Sequence, residues 1–155
     1  MKIGVFFYSR TGHTAQAGEV VAAQLAEAGH EVEFKVLRPA EPVSLSADRV
    51  CLEEIPSIEA FDALVLGTPV NGGRPSAPMR TFLGSIPSLA GKSVAIYVTH
   101  FLPYKWGSDQ TLSLMRALCE EKGGQVLGAG DILWSSLRRK KRTQKTAADF
   151  VDLFA

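Results

Sequence analysis

Three hydroxyl side chains and a glycine crowd into Ser9-Arg10-Thr11-Gly12-His13-Thr14, where the short apolar run Ile3 to Tyr8 hands over to a helical pattern. At a strand-to-helix turn, these residue types make a cradle for a phosphate. The first N–H groups of a helix have no intrahelical acceptor and sit at the positive end of its dipole, so they hold an anion without an obligatory cation. Gly12 adds backbone angles closed to other residues. The loop lacks the lysine of the ATP-type phosphate loop and the three glycines of the dinucleotide fingerprint. The ligand expected is therefore another molecule with a phosphate tail. The same six residues also read as turn and helix-cap chemistry.

Two further loops carry candidate chemistry. One runs from Gly67 through Thr68, Pro69, Val70, Asn71, Gly72 and Gly73 to Arg80, and the other from Thr99 through His100, Phe101, Tyr104 and Trp106 to Ser108. Three aromatics within six residues of the second loop imply something to cover: a ligand ring, the loop itself or a second subunit. His100 reads either as a proton donor to a ligand or as a satisfied structural residue at a strand end, and His13 carries the same pair of readings.

The elements that must position these loops follow from hydrophobic periodicity. Ile3 to Tyr8, Ala63 to Leu66 and Val94 to Val98 are nearly continuous apolar runs, as in central strands covered on both faces. Glu31 to Leu37 alternates, with Val32, Phe34 and Val36 on one side, which predicts an edge strand with one wet face. A fifth strand within Gln125 to Leu133 is interrupted by Gly128 and Gly130, so it belongs at the opposite edge or carries a bend. Helical stripes fall at Ala17, Val21, Leu25 and Ala28; at Met79, Phe82, Leu83 and Ile86; at Leu112, Met115, Leu118 and Cys119; and at Ala147, Phe150, Val151 and Phe154. Arg38 to Phe61, with three prolines, predicts only a short helix around Asp48 to Glu53.

Alternating strands and helices define an α/β fold, a five-stranded parallel sheet of order 2-1-3-4-5 with helices on both faces. Ligands bind such sheets beyond the carboxyl ends of the strands where the order reverses, and the three loops meet there. With 155 residues and no linker, the chain reads as one domain over 1–155. A net charge of +1 argues against a dedicated nucleic-acid binder. No apolar run approaches a membrane span, and Cys51 and Cys119 lack metal or redox spacing, so a cytoplasmic protein with reduced thiols is expected.

The Ser-x-Thr-Gly-x-Thr loop after the first strand, Gly67-Thr68-Pro69 after the third, and Met79-Arg80-Thr81-Phe82-Leu83 opening a helix resemble the flavodoxin-like family of FMN-binding proteins. The likeness covers essentially the whole chain and joins the flavodoxin and quinone-reductase branches. It implies a three-layer flavodoxin-like sandwich, with the FMN phosphate on Ser9 to Thr14 and the isoalloxazine between the second and third loops. Thr68 to Gly73 would then approach the ring edge, where Gly72-Gly73 offers either a peptide that can flip near N5 or a plain turn. With Val70 and Asn71 in the second loop, stacking falls to Phe101, Tyr104 or Trp106 of the third. The resemblance implies a carrier of electrons between a redox donor and an acceptor, partnered by a redox protein or NAD(P)H, with a small NAD(P)H-dependent quinone reductase and a flavin-free binding module as the other readings. Arg138-Arg139-Lys140-Lys141-Arg142, with Lys145, follows the fifth strand at the ligand edge. It reads as a solvated helix start, or as a site for the NADPH phosphate, an acidic partner or an anionic surface.

Overall fold

The computed structural model describes residues 1–155. In chain order the elements are β1 (Lys2–Phe7), α1 (His13–Glu27), β2 (Glu31–Val36), β3 (Ala63–Asn71), β4 (Arg74–Pro75), α2 (Ala77–Ser85), β5 (Ser93–His100), α3 (Lys105–Glu121), β6 (Gln125–Leu133) and α4 (Arg139–Leu153). The long strands are parallel in the order β2-β1-β3-β5-β6, which is the expected 2-1-3-4-5 once two-residue β4 is set aside.

The apolar runs dictate three layers. Because β1, β3 and β5 are hydrophobic on both faces, each face needs a cover: α1 and α4 pack on Val5, Val65 and Tyr97, while α2 and α3 pack on Phe6, Leu64, Leu66 and Ile96. A fully buried side chain of this size contributes about 1.5–3 kcal/mol by leaving water. Cys119 lies in the second of these cores, where burial pushes its thiol up to about 12 and keeps it protonated.

Four expectations need correction. First, β3 and β5 run further than their apolar stretches, so Thr68 to Asn71 and Thr99 to His100 are strand rather than loop. The extra length of β3 comes from a tight hairpin, in which Asn71 pairs with Arg74 across Gly72 and Gly73 at φ 58° and 76°. Two consecutive positive φ angles are the signature of a type I′ turn, which only glycine-like residues enter readily. Gly72-Gly73 thus forms the turn of this hairpin.

Second, no helix forms around Asp48 to Glu53. The prolines remove donors, and the segment instead folds back on itself with Ala40 N–H to Cys51 O at 2.8 Å and Glu53 N–H to Arg38 O at 2.8 Å. Leu52, Ile58 and Phe61 plug it into the α2 side of the core.

Third, the apolar side of β2 is not its dry side: Phe34 and Val36 remain 44% and 40% exposed. α1 packs back against α4 and covers the outermost strand only over Val32 and the edge of Phe34. Fourth, Trp106 is not in a loop but in the first turn of α3. At the other edge, the glycine-broken strand is β6, whose register slips opposite Val94/Ala95.

Candidate functional site

The Ser9 to Thr14 turn brings its donors together through one backbone choice. Gly12 caps α1 at φ 89°, and no side chain caps the helix from that position. The first helical closure is Gln16 N–H to Gly12 O at 2.9 Å, and Ala15 N–H goes to Ser9 Oγ at 3.2 Å. The N–H groups of Arg10 to Thr14 donate to no protein acceptor. That unspent donor set at a helix N-terminus fits a phosphate dianion. Because Ser9 Oγ accepts from Ala15, its own hydrogen is free to donate outward. Thr14 differs: it is buried, and its Oγ1 lies 2.8 Å from Thr99 Oγ1, so the two hydroxyls share one donor.

The cradle is tied to the sheet by Tyr97. Its hydroxyl donates to Thr14 O at 2.8 Å, fixing the first turn of α1. Complete burial raises the phenol far above its ordinary value, so it stays a donor. The ring fits because its neighbours are small. Gly67 stands beside it in register on β3, and Gly18 approaches its hydroxyl from α1.

Beyond the cradle lie two adjoining compartments of about 340 and 350 Å³, in the size range of small-molecule sites. The first is lined by Arg10, Thr11, His13, Thr14, Pro69, Val70, Asn71, Thr99, His100 and Phe101. The second continues past Val70, His100 and Phe101 to Gly72, Gly73, Tyr104 and Trp106. Of the residues expected to meet a ligand, Thr68 is turned away: it is fully buried, and its Oγ1 accepts from Ser76 N–H at 2.9 Å, bracing the cap of α2.

His100 is held at both ring nitrogens. Nδ1 lies 2.7 Å from Leu102 O and Nε2 lies 2.5 Å from Asp131 Oδ1, while Ser108 Oγ donates to Asp131 Oδ2 at 2.8 Å. Both histidine partners are acceptors, so the arrangement is fully satisfied when both nitrogens donate, which favours the imidazolium. The Asp131 hydrogen bond raises the histidine against partial burial; for Asp131, burial pushes up but the bonds from His100 and Ser108 outweigh it and the carboxyl ends below its ordinary value. His100 is thus a latch between β6 and the loop after β5, not a free proton donor. His13 stacks on Trp134, centroids 4.7 Å apart, and burial together with the nearby Arg139 lowers its pKa.

This latch has a pH window. A raised histidine stabilises the fold below the unfolded value of about 6.5, and that contribution disappears as pH climbs through the higher folded value. A lowered aspartate stabilises above about 3.9 and loses its contribution as pH falls through the lower folded value. Urea unfolding should therefore show the stability gap between wild type and Asp131→Asn at its widest between about pH 4 and 6.5, narrowing on the alkaline side. A gap that does not change with pH would contradict the imidazolium.

Sequence reasoning missed Asp131, Ser108, Tyr97 and Trp134. Asp131 sits in a glycine-broken strand and Tyr97 inside an apolar run, and only the strand register brings them to the cleft. One legible signal was available: Asn71-Gly72-Gly73 is a hairpin turn sequence.

Fold and cleft together define an α/β protein of the flavodoxin-like class with a ligand site at the carboxyl edge of its sheet. The chain belongs to the family of NADPH-dependent FMN reductases, which it matches over residues 1–137. FMN is accordingly its cofactor, and the free N–H groups of the α1 turn fit the phosphate of that group. A relative, the NAD(P)H dehydrogenase (quinone) of Methylocella silvestris, is 33% identical over 89 residues, which are 53% of this chain and 45% of that protein. The chain thus spans less than half the length of the curated relative it matches. Among solved structures, flavodoxin 1 from Bacillus cereus superimposes with a TM-score of 0.70 at 20% identity, covering 98% of each chain. A flavoprotein from Lactobacillus acidophilus in complex with FMN superimposes with a TM-score of 0.66 at 19% identity, over 84% of this chain and 92% of that one. No helix is long and apolar enough to cross a membrane.

Proposed function

We propose that this protein is an NAD(P)H-dependent FMN oxidoreductase that passes electrons to a flat acceptor such as a quinone. The FMN phosphate rests on Arg10 to Thr14 with Ser9, and the ring lies in the cleft between Pro69 to Gly73 and Phe101 to Trp106. The observation that carries the reading is the one-sided supply of aromatics. Phe101, Tyr104 and Trp106 all come from the segment after β5, whereas the facing wall of Val70, Gly72 and Gly73 offers no aromatic. One face of a bound ring is then covered and the other stays open. Hydride transfer needs a second ring stacked in contact on an open face, whereas simple electron exchange needs only an exposed edge.

Bound FMN supplies the hydride and electron chemistry, and the chain supplies binding and orientation. No carboxylate lines either compartment, and both nitrogens of His100 are engaged, so protons exchange through the solvent-open face. The Methylocella relative, an NAD(P)H dehydrogenase (quinone), supports the quinone as acceptor.

Anaerobic stopped-flow mixing of the FMN-loaded protein with NADPH and NADH, with and without a benzoquinone, tests the reading. Saturable bleaching of the flavin and reoxidation by the quinone are expected. Alanine at Trp106, Tyr104 or Phe101 should restore flavin fluorescence in at least one case, since stacking quenches it. Slow bleaching by both nucleotides, beside fast exchange with a protein acceptor, would replace the reductase with an electron carrier. Fluorescence and affinity unchanged in all three variants would move the ring elsewhere.

A further inference from the structure

The family match ends at Leu137, and five cations follow it at once. Arg138, Arg139, Lys140, Lys141 and Arg142 are all exposed, and none of them takes part in the ion pairs of the chain; the first on α4 is Lys145 with Asp149 at 2.7 Å. They occupy the positive end of a helix dipole, an unfavourable place for cations. Successive helical residues leave the axis about 100° apart, so the five fan around the first turn of α4 rather than converge on a point. A single phosphate can meet only a few of them. Arg139 folds back over Trp134, its guanidinium 5.6 Å from the ring centroid and its Nη1 3.5 Å from Trp134 O, while a broad sheet of negative charge facing the start of α4 can meet several of the others at once.

Two exposed leucines stand on the segments that leave this edge of the sheet. Leu137 is fully exposed at the tip of the turn between β6 and α4, and Leu102 is 61% exposed on the neighbouring loop. Both segments start from the same place, because His100 pairs with Leu133 and Trp134 N–H donates to His100 O at 2.7 Å. Exposed leucines rimmed by lysine and arginine at one edge match the layering of a bilayer surface, with apolar tips among the acyl chains and cations at the anionic headgroups.

We propose that the β6–α4 turn and the start of α4 dock this protein on an anionic lipid bilayer, with Leu137 inserted and the cations Arg138, Lys140, Lys141 and Arg142 toward the headgroups. Docking would set the open cleft against the membrane, where a lipid-dissolved acceptor resides. The surface itself does not depend on the reductase reading, and vesicle binding is measured without turnover.

The test is co-sedimentation of the FMN-loaded full chain with phosphatidylcholine vesicles and with vesicles carrying about a third phosphatidylglycerol, the anionic component that attracts each nearby cation. Protein should pellet with the anionic vesicles alone and be released by salt as screening shortens the attraction. Lys140→Glu with Lys141→Glu should weaken binding by about 30-fold or more, since two attractions are lost. Leu137→Ser should weaken it several-fold, with a residual salt-sensitive part. Both variants should keep wild-type FMN affinity and melting, which separates lost docking from lost fold. Equal pelleting on neutral vesicles, or no effect of the charge reversals, overturns the proposal. So does salt-sensitive capture on poly-glutamate beads without vesicle binding, which would assign the fan to an acidic protein.

Discussion

Removing the hydroxyls of Ser9 and Thr11 together should weaken FMN binding by about 10² to 10⁴-fold and leave riboflavin binding within a few-fold of wild type. The two ligands differ only by the phosphate, so the comparison isolates the cradle from the ring slot. Thr11 is exposed on the cleft wall, and Ser9 keeps its own hydrogen free because its oxygen already accepts from Ala15. A hydrogen bond to a charged group is worth about 1.5–3 kcal/mol, hence about 3–6 kcal/mol for the pair in Ser9→Ala/Thr11→Val. Losing the Ala15 contact also loosens the start of α1, whose N–H groups face the phosphate, so it adds to the selective loss of FMN. Thr14 is left in place because its hydroxyl braces Thr99 in the core. Titration followed by flavin fluorescence gives both affinities. Equal losses for FMN and riboflavin would remove the phosphate from this turn.

The cradle was legible in the sequence because its cause is local: a strand, a glycine and hydroxyls ahead of a helix determine the open donors whatever else the chain does. The central strands were legible for a similar reason, since apolar runs such as Ala63 to Leu66 and Val94 to Val98 leave only a doubly covered position. Residues whose state depends on a distant partner could not be read that way. His100 looks the same in sequence whether free or latched, and Asp131, which decides the matter, lies 31 positions away on another strand. Phe34 and Val36 had the alternation of a buried face, yet coverage is set by how far α1 leans toward α4. The missing helix after β2 is intermediate. The prolines announced trouble, but the back-folded path also needed Thr81 Oγ1 to accept from Val50 N–H and Arg80 to donate to Ala47 O.

Gly67→Ala should cost about 3 kcal/mol of stability, the upper part of the usual range for overpacking a core. Nothing in the local pattern of β3 forecasts such a price. A Cβ at Gly67 would lie 2.2 Å from Tyr97 Cζ and 2.3 Å from its hydroxyl oxygen, far inside contact, and the ring cannot retreat. Gly18 meets the same hydroxyl oxygen from the α1 side, where an added Cβ would lie 2.7 Å away. Relief therefore requires Tyr97 to abandon its rotamer and the bond to Thr14 O, which releases the first turn of α1. Two readouts follow. For a chain of this length the midpoint of thermal unfolding should fall by about 6–12 °C. FMN should also bind more weakly than riboflavin relative to wild type, because the turn that loosens carries the phosphate donors. Tyr97→Phe separates these effects: it removes the hydroxyl without adding volume, so it should lose about 1 kcal/mol of stability while reproducing the selective loss of FMN. In the double variant Gly67→Ala/Tyr97→Phe, the missing oxygen relieves part of the clash, and the combined cost should fall short of the sum. Additive costs would mean that Tyr97 and Gly67 act independently and that the tyrosine does not hold the cradle.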